Sequence, residues 1–263
     1  DLVISGGVAQ NIKANQKILA AENVNSLFIP PGPGDESISI GASFLANIKF
    51  SNKSKEGPIE LRFNPYCGSS YSDSQIEKYL LTLNKKNWIY EKSDHKKVAK
   101  LISQGEIVAR FSSGKMEFGA RALGNRSILA DPSSSDVIHY LNKLVKMRDF
   151  WMPFAPSIIE ERASDYLINN KNNISKYMAI SYDSTELAFK HLPAGLHPFD
   201  KTSRAQIVCK KDNENYHSLI KEFEKITGIG ALLNTSFNIH GEAIVESPKD
   251  AIKTLKNSGL NYL

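Results

Sequence analysis

The sequence predicts an α/β fold built as two units, and three observations carry that prediction. Short apolar strand-like runs alternate with stretches of helical spacing along the whole chain. Glycine and proline clusters punctuate those runs at strand ends. A polar stretch, Ser51 to Pro58, interrupts the pattern once, with linker composition on both sides of which the alternation resumes.

Taken in order, Leu2-Val3-Ile4 reads as a strand, Ser5-Gly6-Gly7 as a turn and Ile12 to Ala21 as a helix. Leu27-Phe28-Ile29 is a second strand, broken by Pro30-Pro31-Gly32-Pro33-Gly34, and Ile38 to Ile48 is helical again. Beyond the linker, a helix is expected over Ser74 to Leu83, capped by Ser72 or Asp73, and another over His95 to Ser103. A strand follows from Gly105 to Phe111, then a helix from Ser135 to Val145. Strands are expected at Tyr177 to Ile180 and Ile207 to Cys209, and a helix at Tyr216 to Ile226, stopped by Thr227-Gly228. Ala231-Leu232-Leu233 is the last strand, and Pro248 to Asn257 a closing helix ended by Gly259.

Composition narrows the function. With 263 residues, 41% of them hydrophobic, the chain has enough apolar content for real cores and is not a disordered polyelectrolyte. It contains no apolar run of the ~18 residues that a membrane helix needs. Two cysteines, Cys67 and Cys209, have no paired spacing, which excludes a disulfide scaffold and leads us to expect a reducing, cytoplasmic setting. The net charge of +5 suits nucleic acid or anionic small substrates and does not choose between them. The opening residues, Asp1 into a strand with no initiator Met, read as the start of a fragment.

Four polar clusters sit at strand ends or in glycine-bearing loops. In Gly114 to Ser127, the cations Lys115, Arg121 and Arg126 are interleaved with glycines. Guanidinium forks match phosphate oxygens and glycine lets backbone N–H groups approach them, so an anion site is expected, a solvated basic loop being the plain alternative. Lys146 and Arg148 would share a face of an extended segment, two cations suited to a carboxylate, carbamate or phosphate; a solvated helix end is the alternative. Phe150, Trp151 and Phe154 beside them lack the basic interleaving of a nucleic-acid platform and read as core or pocket wall. Arg204, just before a strand, is a candidate anion ligand or an ordinary surface arginine. Asn234, Ser236 and Asn238 follow the last strand and offer hydroxyl and amide groups to a small acyl group, or form an ordinary turn.

The runs Lys115 to Pro132, Pro153-Phe154-Ala155-Pro156-Ser157 and Leu233 to Asn238 resemble the O-carbamoyltransferase family, which includes nodulation-factor and antibiotic carbamoyltransferases. The resemblance extends through Gly6 to Asn11 and Pro31 to Asp35, and so over the whole chain. It implies the end of an actin-like ATPase-fold domain over residues 1–55, a linker region over 56–94, and a YrdC-like α/β domain with a twisted mixed sheet over 95–263. It further implies that carbamoyl phosphate and ATP, with Mg²⁺, give a carbamoyl-adenylate whose carbamoyl group goes to a hydroxyl of a small-molecule or glycan acceptor. Lys146, Arg148, Ser236 and Asn238 match the catalytic signatures of that family. Lys115, Arg121, Arg126, Arg204, Asn234, Gly6, Gly7 and Asn11 match its substrate and nucleotide positions, and Asp35 matches a ligand to a catalytic iron.

Three departures stand out. Ala120 replaces the usual proline of the arginine loop, and Met152 stands where many relatives carry arginine. None of the six histidines falls where the other iron ligands belong. A threonylcarbamoyl-adenylate synthase shares the Lys-x-Arg and Ser-x-Asn signatures but lacks the Gly6-Gly7 and Asp35 region. A non-catalytic RNA-binding module predicts a basic stripe, which the clustered cations do not form.

Overall fold

In the computed structural model, the described residues are 1–50, 64–83, 88–146 and 152–263. The linker stretch Ser51 to Pro58 therefore lies outside them, as do Arg148, Phe150 and Trp151.

The N-terminal segment forms a βαβα unit. Strand β1 (Leu2–Val3) pairs in parallel with β2 (Leu27–Phe28), Leu2 opposite Leu27, and α1 (Ile12–Ala20) connects them. Gly6, at φ 98°, turns the chain out of β1. Asn11 then caps α1, its side-chain oxygen accepting the Ala14 N–H at 3.1 Å. Helix α2 (Glu36–Phe50) follows the proline-glycine turn.

After it come α3 (Asp73–Leu80), opened by a Ser72–Gln75 capping box, and α4 (His95–Ser103), capped by Asp94. Strands β3 (Val108–Phe111) and β4 (Arg126–Ala130) lead to α5 (Asp136–Leu141), which continues through one π-type turn, Asn142–Lys146. Then follow β5 (Ala155–Ile159), α6 (Ala163–Tyr166), β6 (Leu167–Ile168), β7 (Asp183–Ser184), α7 (Glu186–His191), β8 (Gln206–Val208), α8 (Glu214–Thr227), β9 (Ala231–Ser236) and α9 (Pro248–Ser258).

Five of these strands make one sheet in the order β3-β4-β9-β5-β8, antiparallel except for the parallel pair β5 and β8. This is the mixed α/β sheet that the sequence predicts. Alternate residues supply the two faces: Leu129 and Leu232 join the core that contains Ala99, Ile102, Leu219 and Phe223 of α4 and α8. Ile128 and Leu233 join the other, with Leu141 of α5, Phe154, and Ala251 and Leu255 of α9. No helix among the described residues is long and apolar enough to cross a membrane.

Three local expectations are corrected. Tyr177 to Ile180, half-buried at Tyr177 and buried beyond it, is irregular, because Met178 sits at φ 57° and the Ala179 carbonyl is taken by Asn15 Nδ2 (2.8 Å) instead of a strand neighbour. The strand expected from Gly105 starts at Val108, since Gly105 (φ 90°) still closes α4 with its N–H on Ile102 O. Lys146 ends a helical turn and not the extended segment expected there, while Arg148 lies outside the described residues.

The N-terminal unit is seated on the chain around residues 166–202. Ala9, Leu19, Leu27 and Ile29 share the core of Tyr166, Ile180 and Tyr182. Asn15 Nδ2 also donates to Ala9 O (2.7 Å), Asn173 Oδ1 accepts from Leu27 N (3.1 Å), and Lys13 pairs with Asp200. Burial alone would raise the Asp200 carboxyl, but Lys13 and the Thr202 hydroxyl and N–H outweigh it and hold the pKa at about 2. A depressed carboxyl stabilises the fold at and above the ordinary aspartate range, and that contribution is lost as pH falls through about 2. Urea unfolding of the protein and of Asp200→Asn should therefore differ at pH 6 and converge near pH 2. A gap independent of pH would refute the assignment.

Candidate active site

Strand β9 runs to Ser236, three residues beyond the expected strand, so Asn234 and Ser236 point from one face of the sheet instead of lying in a turn. Immediately after it the chain folds back, with Asn238 N donating to Ser236 O (3.1 Å) and Val245 N to Phe237 O (3.0 Å). The π-type turn that lengthens α5 delivers Lys146 into this fold. Its ammonium donates to Ser236 O (2.7 Å), Ser236 Oγ (3.1 Å), Asn238 O (2.9 Å) and Asn238 Oδ1 (2.7 Å). Ser236 Oγ donates to Asn238 Oδ1 (2.6 Å), and Asn238 Nδ2 donates to Glu242 O (2.7 Å). Lys146, Ser236 and Asn238 are thus one cluster, a cation 2% exposed and surrounded by four neutral oxygens. Such a set combines a fixed positive charge with hydroxyl and amide groups, which suits a small anionic acyl group.

The loop from Gly114 to Ser127 is built differently from an open anion cradle. Glu117, 8% exposed, turns inward, and its Oε1 accepts the N–H groups of Leu123 (2.7 Å), Asn125 (2.6 Å) and Arg126 (3.3 Å). Three of the loop's backbone donors are thus occupied by the chain's own carboxylate. Gly124 (φ 115°) is required because a Cβ there would lie 2.3 Å from the Tyr216 ring. Gly119 (φ 108°) is required because its Cβ would meet Pro31 O at 2.2 Å, so the arginine loop is pressed against the proline-glycine turn of the N-terminal unit.

The three loop cations part company. Lys115 is exposed. Arg121 is half-buried and lines a small cavity with Gln10, Pro31, Pro33 and Met178. Arg126, wholly buried, stacks on Phe111 with its guanidinium 3.8 Å from the ring centroid, and Nη1 donates to Ser112 O (2.7 Å) and Asn125 O (3.0 Å). Burial holds its pKa below the usual arginine value, partly offset by the Glu117, Tyr71 and Glu246 charges.

Asn234 lies one layer below Ser236 and is 2% exposed. Its Nδ2 donates to Ala122 O (3.1 Å), Ser157 Oγ (3.0 Å) and Gln206 Oε1 (3.2 Å), while Gln206 Nε2 donates to Leu123 O (3.0 Å). It ties the arginine loop to the sheet. Arg204, half-buried, precedes Gln206 by two residues. Gln206 also lines a cleft of about 570 Å³ with Tyr66, Lys176, Tyr177, Lys211 and Asn213. Cys209 lines it too, its thiol pushed up to about 12 by burial and by Glu160, which makes it a poor nucleophile.

Gly6, Gly7 and Asn11 sit in the β1–α1 turn, where Asn11 serves as the helix cap. Asp35 is exposed at the start of α2, and among the described residues no group of three or more His, Cys, Asp or Glu side chains is placed to hold a metal ion. The described residues do not fit an iron centre at Asp35. Glu117, Ser157 and Gln206 are the site residues that sequence reasoning missed. The signal for Glu117 was a single acid inside a loop of cations and glycines.

The family model for the carbamoyltransferase C-terminus matches residues 99–263, and that for the N-terminus matches residues 1–44. The chain belongs to the carbamoyltransferase family. The uncharacterized protein MJ1058 of Methanocaldococcus jannaschii is 39% identical over 95% of this chain and 41% of its own length. Nodulation protein NolO of Bradyrhizobium diazoefficiens is 33% identical over the whole chain and 47% of its own length, and nodulation protein U of Rhizobium fredii is 31% identical over 94% and 39%. This carbamoyltransferase-family chain thus spans less than half the length of these three relatives. Two solved structures of HypF overlap 65% of the chain and 20% of their own: one in the phosphate- and nucleotide-bound form (TM-score 0.44, 15% identity), the other from T. kodakarensis (0.43, 18%).

Replacing Lys146 by Met keeps the bulk but leaves four oxygens of the half-buried Ser236 and Asn238 without their shared donor. Unfolding free energy should fall by about 2–4 kcal/mol in a denaturant titration. A change below about 0.5 kcal/mol would mean that the cluster is not held by this cation.

Proposed function

We propose that this chain carries out carbamoyl activation at the Lys146–Ser236–Asn238 cluster. In this reading carbamoyl phosphate is first hydrolysed to carbamate and phosphate. A carbamate oxygen then attacks the α-phosphorus of ATP, the bond from that phosphorus to the bridging oxygen of the β-phosphate breaks, and pyrophosphate leaves with Mg²⁺. The acceptor hydroxyl of a small molecule or glycan then attacks the carbamoyl carbon of the product, carbamoyl-adenylate; the bond from that carbon to the phosphate oxygen breaks, AMP leaves and the hydroxyl proton passes to solvent. Family membership supports carbamoyl chemistry, and the observation that carries the adenylation step is the fixed ammonium bracketed by the Ser236 hydroxyl and the Asn238 amide.

Each group has a role that its surroundings support. Lys146 offsets the negative charge that gathers as the carbamate and the α-phosphate meet, and being packed in place it reorganises little. Ser236 and Asn238 orient the planar carbamoyl group through hydroxyl and amide contacts. Arg121, Arg148 and Arg204 are assigned to phosphate oxygens, Arg148 from the sequence signature alone since it lies outside the described residues. Lys115 is assigned to the outer phosphates, where an exposed cation is enough. The cleft beside Gln206 has the volume of a small-ligand site and is assigned to the nucleotide. Residues 1–55 are assigned to the transfer unit and 95–263 to the activating unit, with 56–94 joining them. Iron has no step in this scheme.

The test mixes the purified protein with carbamoyl phosphate and Mg-ATP and follows carbamoyl-adenylate and pyrophosphate by mass spectrometry. Pyrophosphate release should require carbamoyl phosphate. Ser236→Ala should lower it by roughly 10–100-fold, a range set by the loss of one positioned hydrogen-bonding group, with unfolding free energy changed by only about 1 kcal/mol. Pyrophosphate release that ignores carbamoyl phosphate, or a Ser236→Ala variant as active as the parent, would overturn the assignment.

A further inference from the structure

In the run Leu123 to Arg126, all four backbone N–H groups turn inward. Those of Leu123, Asn125 and Arg126 meet at Glu117 Oε1, and that of Gly124 meets Ser127 Oγ (3.1 Å). Successive N–H groups converging on one point form an anion nest, a geometry that loops use to hold phosphate. Here the anion belongs to the chain.

Glu117 is anchored on its own side. A strap from Pro65 to Ser69 pairs with Met116 to Phe118: Gly68 N donates to Met116 O (3.0 Å), Met116 N to Ser69 O (2.8 Å) and Phe118 N to Pro65 O (2.6 Å). On the far side, the Arg126 peptide that donates to Glu117 through its N–H belongs to a residue whose carbonyl accepts from Phe237 N (2.9 Å). Phe237 is the residue between Ser236 and Asn238. A continuous chain of bonds thus leads from the Glu117 carboxylate through the backbone of Arg126 to the turn that holds Lys146. Ala122 and Leu123, at the other end of the nest, give their carbonyls to Asn234 and Gln206, and so fix the stretch that carries Arg121.

We infer that Glu117 is a positioning residue, an internal carboxylate that fills the anion nest of the arginine loop and thereby sets Arg121 and the Ser236–Asn238 turn for carbamoyl activation; the catalytic half of this inference rests on the function proposed above. Three donors on one oxygen call for a full negative charge, because a neutral amide oxygen binds N–H groups only about half as strongly. Glutamine preserves the shape of Glu117 and part of its acceptor strength. Alanine removes both and leaves a nest open to a small external anion.

The experiment uses Glu117→Gln and Glu117→Ala in the full chain, with sodium formate as the probe anion and chloride at equal ionic strength as control. Amide hydrogen exchange reads the nest, and carbamoyl-phosphate-dependent pyrophosphate release reads the reaction. In Glu117→Ala, exchange at Leu123, Asn125 and Arg126 should accelerate at least about 10-fold, and kcat should drop roughly 10–100-fold with KM for ATP changed less than about threefold, because the groups that meet the reacting atoms are displaced by a change away from them. Formate should restore both protection and part of kcat; chloride should restore neither. Glu117→Gln should lie between the parent and alanine in kcat, which keeps the test decisive if alanine does not fold. Unchanged exchange in either variant, or a kcat loss that formate and glutamine leave untouched, would overturn the inference. An inactive parent protein would sink the activation reading separately, while formate-dependent protection in Glu117→Ala would still establish the nest.

Discussion

Three polar side chains buried side by side on neighbouring strands, Ser157, Gln206 and Asn234, impose the requirement around which this site is arranged. Each must find hydrogen-bond partners away from water, since a buried amide left unpaired costs on the order of 1–3 kcal/mol. Part of the demand is met among themselves, Ser157 Oγ donating to Gln206 Oε1 at 2.7 Å. The remaining amide protons reach upward to the Ala122 and Leu123 carbonyls, and that choice fixes where the arginine loop crosses the sheet. The sheet face is therefore divided: apolar under α4 and α8, polar where the loop lies across it. The Lys146 cluster stands at the polar end because β9 continues from Asn234 to Ser236 on the same face.

The same loop also receives the N-terminal unit. Gly119 comes within contact of Pro31 only because it has no side chain, and Ala120 N donates to Pro31 O at 3.4 Å. Ala120, where the family resemblance leads one to expect proline, thus keeps an N–H that proline would lack, and that N–H reaches the proline-glycine turn. The half-buried Arg121 follows directly, beside Gln10 and Met178. Two motifs separated by some ninety residues in the sequence are neighbours in space, joined by backbone contact.

Elements that declare themselves through local chemistry were legible in the sequence. The helix at His95–Ser103 and the cap at Ser72 follow from apolar spacing and an N-cap residue, and the end of α9 follows from Gly259, which adopts φ 71°. Tyr177 to Ile180 was misread because apolar composition says that a segment is buried and not what its carbonyls bond to. Here a helix side chain, Asn15, takes the carbonyl that a strand would have used. In the site, the grouping of Ser236 with Asn238 is visible from their spacing and the family resemblance sets Lys146 beside them, but the bonds that join the three depend on a π-type turn that no periodicity announces. Glu117 escaped notice for a related reason: three cations around one acid suggest an external anion until the backbone donors are traced to the acid itself.

The cations Arg126, Arg110 and Lys146 differ in what holds each of them away from water. Arg126 gives up hydration and recovers some of it from the Phe111 ring and two carbonyls. Arg110 is placed over Tyr216 (5.3 Å) and donates to Asn125 Oδ1 (3.1 Å), Asn215 Oδ1 (2.5 Å) and the Gly124 carbonyl. Lys146 is held by four oxygens. For each of them the reorganisation that a mobile surface cation undergoes on meeting an anion has already taken place during folding, and a charge fixed in advance stabilises a developing negative charge more than one that must move to it. A net charge of +5 therefore says little about this protein until cations that hold the loop, such as Arg126, are told apart from Lys146, which folding places beside the Ser236 hydroxyl.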